Sequence, residues 1–242
     1  MMQSEGKITR DNAVDIIKEF AKEYRRELGK VPGEIIIVGG GSIMLNYKFR
    51  DATQDFDVIL KTASGVDDVI KKIADNYGLP RDWMNSDFKK TSSYSDALFE
   101  VSKHFKTLNN GTLEIRTVSG VYLIAMKLRA HRGYRNDVSD AIGVMFEEME
   151  KGSIITFEDI KNAYAKLYNE GLHEQLLEQL KTICKMSLDE LKEFYKKQNF
   201  SEQKIKGQVI SYIDEGASIN VRNVDEVVTK IREKMKSQEG IQ

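Results

Sequence analysis

The sequence predicts an α/β chain in which strands and helices alternate over the first 150 residues and a helical region follows. Three observations carry that prediction. Short apolar, β-branched runs alternate with helical periodicities in the first half. A Gly-Gly-Gly turn joins the first of these runs to a helix. After Lys151-Gly152 strand-like text nearly vanishes and helix-start signals take over. The expected units are therefore residues 1–150 and residues 151–242.

Each element has its own signal. From Asp11 to Leu28, Ala13, Ile16, Ile17, Phe20, Tyr24 and Leu28 form one helical stripe. Pro32-Gly33 breaks the chain before Glu34 to Val38, a continuous apolar run that reads as a buried strand. Gly39-Gly-Gly-Ser42 turns it, and Ile43 to Phe49 reads as a short helix. Asp55 to Leu60 is a second strand, and Val66 to Tyr77 a helix closed by Gly78-Leu-Pro80. The polar stretch Arg81 to Ser95 reads as a long loop, within which Trp83 either anchors the loop or stacks on a base. Phe99 to Leu108 and Thr112 to Val118 read as strands joined by Asn109-Asn-Gly111, a strong hairpin signal. Helices follow at about Gly120 to His131 and Asn136 to Met149.

Beyond that point Thr156-Phe-Glu-Asp159 opens a helix, Ser187-Leu-Asp-Glu190 is a capping box, and Asn223 with Glu226 gives a third start signal. Four or five helices are expected from Thr156 to Lys236, packed on the first unit through Ile160, Ala163, Tyr164 and Leu167.

Composition narrows the class. With 40% hydrophobic and 31% charged residues the chain is neither disordered nor membrane-like. No apolar run approaches the roughly 20 residues of a spanning helix. The start, MMQSEGKITR, has no hydrophobic signal region. The single cysteine, Cys184, lies in a helical run and reads as a buried thiol in a reducing compartment, so a cytoplasmic location is expected. Charge is balanced, with 22 basic and 23 acidic residues up to Glu150 and 15 of each beyond, so neither unit is a nucleic-acid module by bulk charge. One stretch departs from this balance. Between Val101 and Asn136, Lys103, Lys106, Arg116, Lys127, Arg129, Arg132 and Arg135 are interrupted by a single acid, Glu114. Such a run is a solvated face unless it lies beside a phosphate site. His104, His131 and His173 have no metal-ligand spacing.

The chemistry concentrates in Ile37 to Leu60. Residues i and i+2 of a strand share a face, so Asp55 and Asp57 project together. Two such carboxylates repel and raise each other's pKa. A divalent cation removes the repulsion, and Mg²⁺ suits because it takes only one or two protein carboxylates and fills its other positions with water and phosphate. Gly39, Gly40 and Gly41 let backbone approach a phosphate, Ser42 adds a hydroxyl, and the next helix offers unpaired N–H groups. A Rossmann site fits less well, because the third glycine position holds Met44.

This stretch resembles the signature of the nucleotidyltransferase superfamily: hydrophobic-Gly-Gly/Ser, a spacer, then Asp-hydrophobic-Asp. Arg50, Thr53, Asp55 and Asp57 are similar to the R-x-x-T-x-D-x-D pattern of bacterial minimal nucleotidyltransferases, a group that includes AbiEii-like toxins of toxin–antitoxin systems. The resemblance continues at Leu123 to Lys127 and at Asn136 to Asp140, and covers about residues 34 to 145.

It implies an α/β (α+β) fold, a nucleotidyltransferase-type mixed sheet flanked by helices, and makes residues 1–150 the catalytic domain and 151–242 a C-terminal helical domain. It also implies an enzyme that uses Mg²⁺ or Mn²⁺, held by Asp55, Asp57 and a third carboxylate for which Glu114 is the candidate. The alternative for Glu114 is a solvent-facing salt bridge. By the same resemblance Lys127 belongs to the catalytic set, against a snorkelling side chain, and Gly40, Gly41, Ser42, Arg50 and Thr53 to nucleotide binding. Arg50 and Thr53 could instead shape the loop. The implied substrate is an NTP. The implied acceptor is a hydroxyl on RNA, protein or a small molecule, with an antitoxin-like partner and no membrane. The rival reading is a catalytically silent protein of this fold that binds a nucleotide or a partner.

Overall fold

A computed structural model describes residues 6–130, 132, 135–215, 219 and 223–239. The chain runs β1 (Ile8–Thr9), α1 (Arg10–Leu28), β2 (Gly33–Ile37), α2 (Gly39–Asn46), β3 (Ala52–Thr53), β4 (Phe56–Lys61) and α3 (Val66–Tyr77). It continues through β5 (Met84–Asn85), α4 (Leu98–Val101), β6 (Ser102–Leu108), β7 (Leu113–Val118), α5 (Gly120–Ala130) and α6 (Asp137–Glu150). The rest is helical: α7 (Phe157–Tyr168), α8 (Glu174–Ile183), α9 (Leu188–Asp214) and α10 (Val224–Glu239).

Five strands form one mixed sheet in the order β5-β4-β2-β7-β6, and β1 pairs with β3 in a small separate ribbon. Central β2 runs antiparallel to β4 and parallel to β7. It is buried on both faces, which explains its continuous apolar run: Ile35 and Ile37 face the α1–α3 layer, whereas Ile36 and Val38 face α5 and α6. On the first face Ile16, Phe20 and Tyr24 of α1 meet Val69 and Ile73 of α3. On the second, Leu123 and Ile124 of α5, Ile142 and Val144 of α6, and Ile160, Tyr164 and Leu167 of α7 share one core with Leu180 and Leu191. The mixed sheet, its flanking helices and the helical region after it thus match the sequence prediction.

Two departures matter for the site. The glycines are not a loop ahead of a helix; they are the first turn of α2, entered through Gly39 at φ +55°. The polar stretch after Arg81 contains β5, which pairs with β4 in parallel and sets Asn85 opposite Asp57. Trp83 is fully buried and donates from Nε1 to Ile70 O at 2.9 Å, so it anchors this segment. Phe99 to Val101 also differ, forming a helical turn before β6 begins at Ser102. The Asn109-Asn-Gly111 hairpin forms as expected, with positive φ at all three residues.

The caps predicted at Thr156 and Ser187 form as well. Thr156 with Asp159, and Ser187 with Glu190, make reciprocal capping boxes at the starts of α7 and α9. Cys184 is half-buried, and burial pushes its thiol up to about 11, which suits a structural thiol. Among the described residues no helix is long and apolar enough to cross a membrane.

Candidate active site

The Asp pair lies where β2 ends and β4 begins. The amide of Val38, the last residue before α2, donates to Asp57 O at 2.9 Å, locking the first turn of α2 to the start of β4. A Cβ built on Gly39 would lie 3.5 Å from Asp57 Oδ2, so the carboxylate sits directly beside that turn. The first N–H groups of α2 have no partner inside the helix and give this end of the sheet a positive dipole. Burial, and next the charge of Asp55, raise the Asp57 pKa, while Arg132, Arg135 and Lys127 pull it down. Asp57 therefore stands among three cations as well as beside a second carboxylate. Asn85 Nδ2 donates to Asp55 Oδ2 at 3.3 Å. Two half-buried carboxylates that repel one another, with the first-turn N–H groups of α2 beside them, fit one hydrated divalent ion.

Glu114 does not join them. On β7 it is level with Glu34 and Lys61, whereas Asp57 is level with Val38, four residues further along the sheet. At roughly 3.3 Å per residue the separation along the strands is about 13 Å. Glu114 instead faces Arg116 Nη1 at 3.9 Å and His104 Nδ1 at 3.6 Å, as a half-exposed surface residue. Among the described residues no group of three His, Cys, Asp or Glu side chains could hold a metal.

The other predicted residues divide. Lys127 is buried rather than snorkelling, with Nζ 3.0 Å from Asp137 Oδ1 and 2.8 Å from Asp140 Oδ2. Arg50 Nη1 binds the same Asp140 oxygen at 2.6 Å, and its guanidinium packs over Gly40, where a Cβ would come within 2.7 Å of Nη2. Arg50 Nε is buried without a hydrogen-bond partner among the described residues, leaving a donor beside the glycine turn. Gly41 serves packing: a Cβ there would meet Phe56 Cδ1 at 2.5 Å. Ser42 is fully buried, and its hydroxyl is held by strand β7, accepting from Val118 N at 3.0 Å and donating to Val118 O at 3.4 Å. Thr53 Oγ1 donates to Asp55 O at 3.0 Å, which shapes the approach to the pair.

The basic stretch also divides. Arg132 Nε reaches Asp137 Oδ2 at 3.0 Å, close enough to the site to act on Asp57. Arg116 turns to Glu34 at 3.2 Å, and Arg129 turns to Tyr164 and Glu170 of the helical region. His131 lies outside the described residues. Burial opposes the charge of Asp137, but Lys127 and Arg132 outweigh it and hold that carboxyl well below the usual range.

Sequence reasoning missed Asn85, hidden in what read as a loop; it raised a contact of Lys127 with Asp140, which forms at 2.8 Å, but not the binding of Arg50 to Asp140 or of Arg132 to Asp137. The only available signal was the helical spacing of Asp137 and Asp140, three apart at the start of a helix.

A family model described as a nucleotidyltransferase of unknown function (DUF6036) matches residues 13–167. No curated protein and no solved structure matches the chain.

Proposed function

The chain belongs to this family of nucleotidyltransferases, and from that premise we propose that it transfers a nucleoside monophosphate from an NTP to a hydroxyl acceptor. The acceptor oxygen bonds to the α-phosphorus, the bond to the pyrophosphate oxygen breaks, and the hydroxyl proton is released. The observation that carries this reading is the Asp57 carboxylate, paired with Asp55 and lying against the unpaired first turn of α2.

In this reading Asp55 and Asp57 hold Mg²⁺ or Mn²⁺, which when bound polarises phosphate oxygens. The chain's own groups bind and orient. Amides of the Gly39–Gly41 turn hold phosphate oxygens, and the Arg50 guanidinium packed over Gly40 adds its charge beside them. Arg132, Arg135 and Lys127 set a positive field around them. Asp140 keeps Arg50 and Lys127 from swinging out to solvent. Ser42 and Thr53 shape the turn and the loop. Residues 1–150 form the catalytic unit and 151–242 the helical one.

The acceptor is a hydroxyl on RNA, protein or a small molecule. An AbiEii-like role would add an antitoxin-like protein partner in the cytoplasm, for which the exposed Phe200, Ile210 and Ile213 of α9 offer apolar contact. A second reading, a silent member that only binds nucleotide or a partner, draws on Ser42 being occupied and Glu114 lying far from the pair.

One experiment separates the two. The full chain is incubated with each α-labelled NTP, Mg²⁺ and a cell extract, and the label is sorted into RNA, protein and small-molecule fractions. Metal-dependent transfer into one fraction is expected. Nucleotide binding with no label transferred from any NTP would favour the silent reading.

A further inference from the structure

Helix α6 begins without a cap of its own. Its N-cap residue, Asn136, makes no side-chain hydrogen bond to the first turn, although the amides of Val138 and Ser139 have no partner inside the helix. The acceptor comes from α9. Glu202 Oε1 accepts from Val138 N at 3.0 Å, and Oε2 accepts from Ser139 N at 3.3 Å and from Ser139 Oγ at 2.5 Å. Gln203 Nε2 adds a bond to Asn136 Oδ1 at 3.4 Å. Glu202 is 5% exposed, an uncommon place for a carboxylate.

The first turn of α6 also carries Asp137 and Asp140, which hold Lys127, Arg132 and Arg50. Any freedom in that turn would pass directly to those three cations. We propose that Glu202 is a positioning residue: through its carboxylate α9 fixes the start of α6, and with it the Asp137 and Asp140 side chains that hold Arg50 and Lys127 at the nucleotide end of the sheet. The role rests on the nucleotidyltransferase reading above. It also gives the C-terminal helices a part in the reaction without touching the substrate.

The charged group acting on Glu202 is Asp140 of α6, to which Lys127 of α5 and Arg50 are bound, with Asp137 and its partner Arg132 on the same first turn; α10, which packs on Ile205 and Val209 of α9, brings Arg232 to the groove at Ser201. Burial and the nearby Asp140 raise the Glu202 carboxyl to about 7 against the pull of its three donors, so the clamp changes its charge near neutrality.

Positioning and mere charge predict opposite results. Removing a negative charge near a triphosphate should tighten nucleotide binding, whereas removing a clamp should loosen it. The test compares the full-length wild type with Glu202→Gln and Glu202→Leu. Amide hydrogen exchange is read at Val138 and Ser139, and the affinity for each Mg²⁺–NTP is measured by calorimetry at about pH 6 and about pH 8, on either side of the carboxyl's titration. At the lower pH both variants should exchange these two amides faster and bind nucleotide severalfold more weakly. The difference should narrow at the higher pH, because a carboxyl with a raised folded pKa costs the wild type stability as it ionises. Glu202→Gln keeps the side chain's size and serves if the leucine variant fails to fold.

Unchanged exchange in the variants overturns the clamp. Faster exchange with unchanged or tighter nucleotide binding overturns the positioning role and leaves a helix cap. A wild type that binds no Mg²⁺–NTP overturns the reading on which the role rests, and the exchange data then report separately on the clamp.

Discussion

Arg50 and Asp140, 90 residues apart, meet at 2.6 Å, and the same carboxylate oxygen lies 2.8 Å from Lys127. One buried acid thereby ties the loop after α2 to helices α5 and α6. Helix α2 carries the glycine turn, and α5 with the segment after it brings the cations that act on Asp57.

Lys127 should be indispensable to folding. Lys127→Met leaves Asp137 and Asp140 buried with less compensation, and breaking such a pair typically destabilises by about 3–5 kcal/mol. Urea denaturation should show that loss. Exchanging Asp140 for Asn in the Lys127→Met background should recover part of it, because one orphaned charge is gone.

The glycines should separate by role. Gly41→Ala drives a methyl into Phe56 and should destabilise by about 1–3 kcal/mol through overpacking, whether or not nucleotide is present. Gly40→Ala meets only the Arg50 guanidinium, the end of a long side chain. It should leave thermal stability closer to wild type and weaken Mg²⁺–NTP binding by displacing Arg50. Equal melting losses in the two variants would contradict this division.

Two buried carboxylates should shape the pH dependence of stability with opposite signs. Asp137, held below its unfolded value, contributes stability at neutral pH that is lost as pH falls through its depressed folded pKa, well into acid. Glu202 has a folded pKa raised to about 7 from 4.5, so its contribution is fully present below the lower value and is lost as pH rises to the upper one. That loss is on the order of 3 kcal/mol. Urea titrations at intervals from about pH 5 to about pH 8 should show Glu202→Gln gaining on the wild type as pH rises. A constant difference across that window would contradict the assignment.

Within the basic stretch, Arg129 and Arg132 should behave differently despite their proximity in sequence. Arg129→Ala removes contacts to Tyr164 and Glu170 and should lower stability with little change in nucleotide binding. Arg132→Ala releases Asp137 and removes a cation near Asp57, so it should weaken Mg²⁺–NTP binding and flatten its salt dependence. Identical salt slopes for the two variants would show that neither cation faces the nucleotide.

The sheet was largely legible because its signals are local. The β-branched run at Glu34 to Val38, the Asn-Asn-Gly hairpin and the period-two spacing of Asp55 and Asp57 all act within a few residues. The capping boxes at Thr156 and Ser187 were readable for the same reason. Position along a strand was not. Nothing in the spacing of Glu114 says that register puts it level with Glu34 instead of Asp57, because that depends on how β7 aligns with a strand some 80 residues earlier. The occupied hydroxyl of Ser42 and the placing of Asn85 likewise follow from pairings between distant segments. Glu202 reads as one acid on a mostly polar helix, and its burial against α6 is visible only in three dimensions.

The most direct test of the central claim is the Mg²⁺–NTP-induced shift in melting temperature of Asp55→Asn and Asp57→Asn, read beside nucleotidyl transfer. Each change keeps side-chain size and removes one negative charge. Without metal, both variants should melt at or slightly above the wild-type temperature, since repulsion within the pair is relieved. With Mg²⁺–NTP the wild type should be stabilised by mass action, the shift should shrink in both variants, and transfer should nearly vanish. Asn variants that keep the full wild-type shift would mean that the pair does not hold the metal, and the silent-binder reading would then replace the enzymatic one.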